Sequence, residues 1–435
     1  MAIFLGTQGG DILAWRGVAE LVAEIRELIV ARMSCQLTEE NIGLLKALQG
    51  RLEEEIAFEE TFMAEFGWAV GKLEQAAYQD EFTPLIPRFN QLTQDYFRKR
   101  GSVAAVHSLC NAYRDGLLRR ALRWTEDALE LDEMRRPPAP YCWLVSGSAG
   151  RLEQTFCVDP EYFLIYGEAE DDGPGYFDKF AYRIAALLGG IGLLPDNGRA
   201  TAMKTLWWGG RNEWRKEIVG KLMPRERNGL ADLLRRADLR LVHGDAALAE
   251  EMLNVVRSML EFRHGDLREA ATGTAMTSLT RAAISFPAPA LKGMGKSIAE
   301  IPTGLDFFGR LKVEKSGRQR GRFNLEQYAL APLISNVRML AIESCLAETG
   351  TIARIKGLQN GGQLSVELTE RVLRAYHEFT RLKLMRQIKG GCETEQACYI
   401  KPEELSEDED QRLRNGLEAV SDLEKIAYLC FTEQG

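Results

Sequence analysis

The spacing of apolar positions changes twice along the chain, and these changes divide it. From about Asp11 to Leu131 the spacing is helical. In Leu13–Met33 the residues Val18, Leu21, Val22, Ile25, Leu28 and Ile29 recur at intervals of three and four, which places them on one stripe. Thr38 ahead of Glu39 and Glu40 reads as an N-cap with acids in the first turn, and the helix it opens runs through Leu44, Leu45, Leu48 and Leu52 toward Phe66. A third helix is expected over Pro87–Arg100, broken by Gly101-Ser102, and a fourth from Ser102 to about Leu131. Four antiparallel helices with short connections predict a bundle.

Arg135-Arg136-Pro137-Pro138-Ala139-Pro140 ends this region, because its three prolines forbid a continuing helix. The pattern beyond it is mixed. Strands are expected at Tyr141–Ser146, Glu161–Tyr166 and Ala237–Val242, and helices at about Tyr176–Leu188, Glu213–Met223 and Ala246–Phe262. Past Arg263 the chain returns to helix, at about Leu267–Ser285, Leu325–Thr349, Ser365–Lys389 and a terminal pair after Lys401. Ser406-Glu407-Asp408-Glu409 and Ser421-Asp422-Leu423-Glu424 both fit the capping-box pattern, while Pro287–Leu311 reads as a glycine-rich loop. No repeat of fixed period is evident, which argues against a solenoid. The fold class expected is α+β, mostly α: an N-terminal helical bundle (1–138), a small mixed-sheet domain (139–265) and a C-terminal helical domain (266–435).

Composition narrows the function classes. The 435 residues are 45% hydrophobic and 27% charged, as in an ordinary globular protein, and the net charge of −8 argues against general nucleic-acid binding by bulk charge. No run reaches the roughly 18 apolar residues of a membrane span, and Ala2–Leu5 is too short for a secretory signal, so no membrane is expected. Eight scattered cysteines lack the density of a disulfide scaffold and read as reduced thiols of a cytoplasmic protein. Cys392 and Cys398 have no histidine or second pair nearby, so zinc is not expected there. Glu53-Glu54-Glu55 with Glu59 and Glu60 has no Glu-x-x-His and reads as a solvated helix face.

The candidate chemistry lies at Tyr141–Tyr166. An apolar strand stops at Gly147-Ser148-Ala149-Gly150, a turn that offers backbone N–H groups and a hydroxyl to an anion. Ten residues on, Asp159 and Glu161 stand at i, i+2, on one face of an extended segment. A phosphate binder beside an acidic pair is the outline of a nucleotidyl-transfer site, in which two magnesium ions stabilise the attacking and leaving oxygens. A third carboxylate is expected from a neighbouring strand. Asp238 is the best candidate, since alternation groups it with Arg240 on one face and sets Leu239 and Leu241 on the other. Lys204, Arg211, Arg215 and Lys216 form a basic cluster interleaved with Trp207, Trp208 and Trp214, which read equally as core or as a base-stacking surface. Lys315–Arg322 is more basic still and reads as an exposed loop. His243 reads as a structural hydrogen-bonding residue, and no Ser-His-Asp arrangement can be assembled.

The stretch Gly147-Ser148-Ala149-Gly150-Arg151-Leu152-Glu153-Gln154-Thr155, closing with Asp159-Pro160-Glu161, resembles the DNA-polymerase-β-like nucleotidyltransferase superfamily, and within it the predicted nucleotidyltransferases related to bacterial PII-protein uridylyltransferase. Ala202-Met203, Trp208-Gly209-Gly210, Glu213-Trp214-Arg215, Asp238-Leu239-Arg240 and Gly244-Asp245 are similar to later segments of that family. Asn324-Leu325-Glu326, Pro332, Arg338, Thr351 and Arg354 are similar to its helical C-terminal domain. The resemblance implies magnesium-dependent transfer of a nucleoside monophosphate from a nucleoside triphosphate to a hydroxyl, on a protein acceptor. It assigns metal and catalysis to Asp159, Glu161 and Asp238, and nucleotide binding to Gly147, Ser148 and Arg151; Lys204 of the basic cluster is expected to bind nucleotide as well. Glu161 stands where the family commonly has aspartate, Pro160 separates the two acids, and Leu194-Pro195-Asp196-Asn197-Gly198 replaces a cysteine-proline-glycine type of turn. These departures keep open a nucleotide-sensing or interaction protein of the same fold without efficient transfer.

Overall fold

The structure, a computed structural model, describes residues 39–76, 78–132, 136–157, 159, 161–168, 173–194, 205–221, 229–260, 304–306, 309–392 and 398–432. The expected helices at Leu13–Met33 and Leu267–Ser285 lie outside the described residues, as do Pro160 and the turn at 195–198. The chain divides into two units, 1–120 and 121–435, so the sheet and the C-terminal helices share one unit.

In the first unit, α1 (Glu39–Gln75), α2 (Leu85–Arg100) and the first part of α3 (Val103–Leu131) carry the helical pattern read from the sequence. Their apolar stripes meet through aromatic rings, with Phe66 edge-on to Phe89 at 5.4 Å and Phe89 stacked on Tyr113 at 4.8 Å. Gly101 ends α2 in the left-handed region at φ 65°, donating its N–H to Phe97. Two members of the acidic run are not merely solvated. Glu55 and Glu59 pair with the buried Arg100, whereas Glu53, Glu54 and Glu60 are exposed.

In the second unit a four-stranded sheet has the order β3-β2-β1-β4. β1 (Tyr141–Val145) is buried at every position, as expected for a central strand, and runs antiparallel to β2 (Tyr162–Tyr166) with Val145 opposite Tyr162. Ser146 N–H extends this ladder to the carbonyl of Glu161 at 3.0 Å. That register sets the one-turn helix α4 (Gly147–Gly150) against the acid at the mouth of β2. After α5 (Gly173–Gly190), β3 (Leu206–Gly210) joins parallel to β2. The sequence reading missed β3, since Leu-Trp-Trp-Gly-Gly is short and glycine-ended.

Helices α6 (Arg211–Gly220) and α7 (Gly229–Arg236) lead to β4 (Arg240–Gly244), and α8 (Ala246–Leu260) packs behind the sheet. The strand expected at Ala237–Val242 begins three residues later. The N–H groups of Ala237, Asp238 and Leu239 bond back to Leu234, Arg235 and Arg236, each at 3.1 Å, and so cannot join the ladder. Asp238 therefore sits in a turn, and its side-chain direction is not set by strand alternation.

The C-terminal helices follow β5 (Phe323–Asn324). A π-helical turn, Glu326–Leu330, leads into α9 (Ala331–Glu343), and α10 (Thr351–Asn360) and α11 (Val366–Gly390) follow. β6 (Tyr399–Ile400) pairs with β5, and α12 (Glu407–Thr432) closes the chain. The expected terminal pair is this one helix. The Ser406–Glu409 capping box forms in both directions at 3.2 Å. The box at Ser421 falls inside a continuous buried stripe of Leu417, Val420, Leu423 and Ala427, and that packing outweighs a local cap. The single helix expected over Leu325–Thr349 is split by the π turn and ends at Glu343. Met339 of α9 enters the same core cluster as Leu144, Phe163, Trp214 and Met252, so the sheet and the C-terminal helices share apolar packing.

Candidate active site

The glycine turn is shaped by two close approaches. Gly147 adopts φ 60°, and a Cβ there would stand 3.9 Å from Glu161 Oε2. A Cβ on Gly150 would stand 1.8 Å from the carbonyl oxygen of Asp238, so only glycine fits. The backbone closes on itself, with Arg151 N–H donating to Gly147 at 3.0 Å and Glu153 N–H to Ser148 at 2.8 Å. Ser148 is half-buried.

The residues after the turn, Arg151 to Cys157, are held by the C-terminal helices. Arg151 Nε donates to Glu153 at 2.8 Å, and Glu153 in turn accepts from the Thr351 N–H at the start of α10 at 2.5 Å. Thr349 donates to the Gly150 carbonyl at 2.8 Å. Gln387 of α11 donates to Thr155 Oγ1 at 3.0 Å and accepts from the Phe156 N–H at 3.1 Å. Cys157 and Cys392 are paired as a disulfide across 235 positions, with Cα atoms 5.1 Å apart, which corrects the expectation of reduced thiols for this pair. The Arg-Leu-Glu-Gln-Thr stretch is thus a clasp between domains.

Asp238, expected as the third acid, is the centre of that clasp. It is fully buried, and three guanidinium groups surround it: Arg338 Nη2 at 2.5 Å from Oδ2, Arg354 Nη1 at 2.6 Å from Oδ1, and Arg151 Nη1 at 2.8 Å from Oδ2. Burial pushes its pKa up, but the three arginines outweigh this and hold it far below the usual carboxylate range. Its oxygens are therefore committed to arginine rather than open to a metal ion. Arg151, expected to bind nucleotide, is committed likewise: burial opposes its charge, but Glu153 and Asp238 prevail and raise its pKa.

Asp159 and Glu161 are placed differently. Asp159 is exposed to solvent yet recessed, and desolvation raises its pKa, opposed by Lys383 and reinforced by Glu326 and Glu161. Glu161 is within 3.4 Å of Arg236 and 3.8 Å of Arg235. Lys383 reaches this region from α11, one turn before Gln387, with Nζ 2.7 Å from Glu326 Oε2. Burial opposes ionisation of both, yet their mutual attraction lowers the Glu326 pKa and raises that of Lys383. Sequence reasoning missed Lys383, Arg235 and Arg236 altogether. Glu326 and Lys383 lie 57 positions apart on helices whose spacing shows only core stripes.

The basic cluster near the tryptophans is largely spoken for. Arg215 and Arg211 share Glu251 at 2.7 and 3.8 Å, and Lys204 lies outside the described residues. Trp214 is wholly buried with its indole donating to Met252 at 3.2 Å, Trp207 packs on it at 5.2 Å, and Trp208 donates to Asp178 at 2.8 Å, so Trp214 at least is core. His243 faces Trp143 across the β1–β4 pair. Lys315–Arg322 is a largely exposed turn closed by Gly321 and Glu314 at 2.8 Å.

Magnesium takes hard oxygen ligands and is commonly held by one or two carboxylates together with substrate phosphates. Asp159 fits that requirement, because its charge is poorly compensated and accessible, and Glu161 stands close enough to raise its pKa further. A three-carboxylate set that includes Asp238 does not fit. Among the described residues no three His, Cys, Asp or Glu side chains are grouped to hold a metal ion.

A glycine-serine turn closing a central strand, an acidic pair at the mouth of the next, and helices clasped onto the loop between them form an arrangement suited to nucleotidyl transfer. Two family matches agree. Residues 87–226 match the family described as "Putative nucleotidyltransferase DUF294", and residues 288–431 match "Putative nucleotidyltransferase substrate binding domain". Together the two matches support a nucleotidyltransferase family. No curated protein matches it. Among the described residues no helix is long and apolar enough to cross a membrane.

Proposed function

We propose that the protein transfers a nucleoside monophosphate from a nucleoside triphosphate to a hydroxyl group of a protein acceptor, in the manner of PII-protein uridylyltransferases, with Asp159 and Glu161 as the catalytic and magnesium-holding acids. The observation that carries this reading is the placement of Glu161 beside the Gly147-Ser148 turn, its Oε2 lying 3.9 Å from where a Cβ on Gly147 would stand, with Asp159 near enough to Glu161 to feel its charge. In the reaction an acceptor oxygen forms a bond to the α-phosphorus, the bond to the β-phosphate oxygen breaks, pyrophosphate departs and the hydroxyl proton is released. Bound magnesium supplies charge neutralisation at the attacking and leaving oxygens. The chain's own part is to hold the phosphates at the Gly147-Ser148 backbone and hydroxyl, and to present the two acids at the mouth of β2. Lys383 offers a cation from the C-terminal domain, which the family description connects with substrate binding. Asp238 is a positioning residue in this scheme.

One observation favours a second reading, nucleotide sensing without efficient transfer: Asp238, whose carbonyl oxygen packs against Gly150 of the glycine turn, has its carboxylate locked by three arginines. Incubation with each of the four labelled nucleoside triphosphates, magnesium and a host lysate separates the two. Label transfer and pyrophosphate release that vanish in Asp159→Asn support transfer, whereas binding without turnover for all four donors supports sensing.

A further inference from the structure

The turn Lys315–Arg322 carries four cations in eight residues, and the site described above uses none of them. Its backbone is closed by its own hydrogen bonds. The Glu314 N–H donates to the Arg322 carbonyl at 2.9 Å, the Glu314 carbonyl accepts from the Gly321 N–H at 2.8 Å, and the Arg322 N–H donates to Gln319 at 3.0 Å. Gly317 and Gly321 both adopt φ 77°, the left-handed conformation that lets so short a segment reverse. The Tyr328 hydroxyl donates to Glu314 Oε1 at 3.4 Å and ties the turn to the π-helical segment.

Lys312, just before the turn, has an acid to answer: burial raises the Glu424 pKa and Lys312 opposes the rise. The four cations of the turn differ from it. Lys315, Arg318 and Arg320 are exposed and Arg322 is half-buried, and among the described residues none of them is paired with a carboxylate. Like charges held together repel, and an anionic partner relieves that repulsion. A preformed surface also loses little conformational freedom when a partner docks. No aromatic residue lies between Lys315 and Arg322 to give a base a stacking face, and the net charge of −8 repels a long polyanion. Four cations so close in the chain fit a short run of carboxylates instead, which guanidinium groups bind with directed, charge-assisted hydrogen bonds.

We propose that this turn is the docking surface for an acidic run in the protein acceptor, its carboxylates taken by Lys315, Arg318, Arg320 and Arg322. Arg322 leads through β5 to Glu326, four positions on, and the charges of Glu326 and its partner Lys383 act on Asp159. Four extended residues span about 14 Å at most, so a hydroxyl several residues from the docked run is within reach of the acids. Docking stands on the turn alone; that the docked chain is the acceptor rests on the proposed transfer reaction.

Three labelled probes test the docking by fluorescence anisotropy: a peptide with a run of glutamates, the same peptide with glutamines in their place, and a uridine oligonucleotide. The glutamate peptide is expected to bind, more weakly as salt rises, and the glutamine peptide is not. The triple variant Lys315→Gln, Arg318→Gln, Arg320→Gln should weaken binding about tenfold, by loss of three exposed ion pairs. Arg98, Arg119 and Arg374 are exposed but already paired with acids, so converting these three to glutamine makes the same change in net charge and should leave binding within about twofold. No binding of the glutamate peptide, equal binding of the two peptides, tighter binding of the oligonucleotide, or equal losses in the two triple variants overturns the proposal. The first three comparisons use wild-type protein alone, so misfolding of a variant cannot obscure them. Transfer to a serine beside the glutamate run, with an acceptor KM raised in the turn variant and kcat kept, supports the acceptor role; an unchanged KM overturns it. Absence of transfer from every donor bears on the proposed function and leaves the binding comparison intact.

Discussion

Arg338, on α9, holds Asp238 from 100 positions away, with its Nε at 3.0 Å from Oδ1 and its Nη2 at 2.5 Å from Oδ2. Arg354 and Arg151 complete the contact, so one buried carboxylate ties the C-terminal helices to the loop that leads to the acidic pair. Such a cluster is costly to assemble and more costly to break, because removing the acid leaves buried cations facing one another.

Asp238→Asn is therefore predicted to cost about 3–5 kcal/mol of stability, measured by urea unfolding. The folded pKa lies far below the ordinary 3.8, so Asp238's contribution is complete above that value and is lost only as pH falls through the depressed pKa. The mutational effect should thus be undiminished from neutral pH down to mild acid. A variant as stable as wild type that nevertheless loses metal-dependent transfer would instead return Asp238 to the metal site.

Asp159→Asn should abolish transfer while leaving the protein as stable as wild type or more so. The Asp159 pKa is raised above 3.8, so between that value and the raised one the folded state holds the proton more tightly, and stability falls as pH rises. Asparagine removes this loss. In thermal melts magnesium should raise the midpoint of the wild type and not that of the variant; equal magnesium shifts in both would remove Asp159 from the metal set.

Gly150→Ala tests the closest approach in the clasp. The new Cβ would meet a backbone oxygen at 1.8 Å, which a rotamer change cannot relieve. Destabilisation of about 3 kcal/mol or more is expected, seen as a lower unfolding midpoint. A midpoint within error of the wild type would show that the turn and the Asp238 segment are not in contact.

Lys383→Met should weaken nucleotide binding about tenfold or more through loss of a charge-assisted contact, and Lys383→Arg should restore much of it. The readout is the KM for the nucleoside triphosphate set against kcat. A purely structural Lys383–Glu326 pair would lower the unfolding midpoint and leave KM unchanged.

The sequence made much of the fold legible where a single element carries its own signal. Helical stripes, the Pro137–Pro140 break, β1, β2 and the Ser406 cap are set by local periodicity and by side chains within a few positions. The long terminal helix escaped because packing along Leu417–Ala427 overrode a cap that looks sound in isolation.

At the site, local spacing determined that Gly147 and Glu161 lie close, since β-strand register alone brings the turn beside Glu161. The fate of Asp238 and Arg151 was decided only by tertiary structure. Arg338 and Arg354 reach Asp238 from helices 100 and 116 positions further along, and Arg151 from 87 positions before it, and nothing in a stretch such as Ala237-Asp238-Leu239 specifies which charge will meet it. Whether an acid binds a metal ion or anchors a domain depends on its desolvation and its neighbours, and these exist only once the chain has folded.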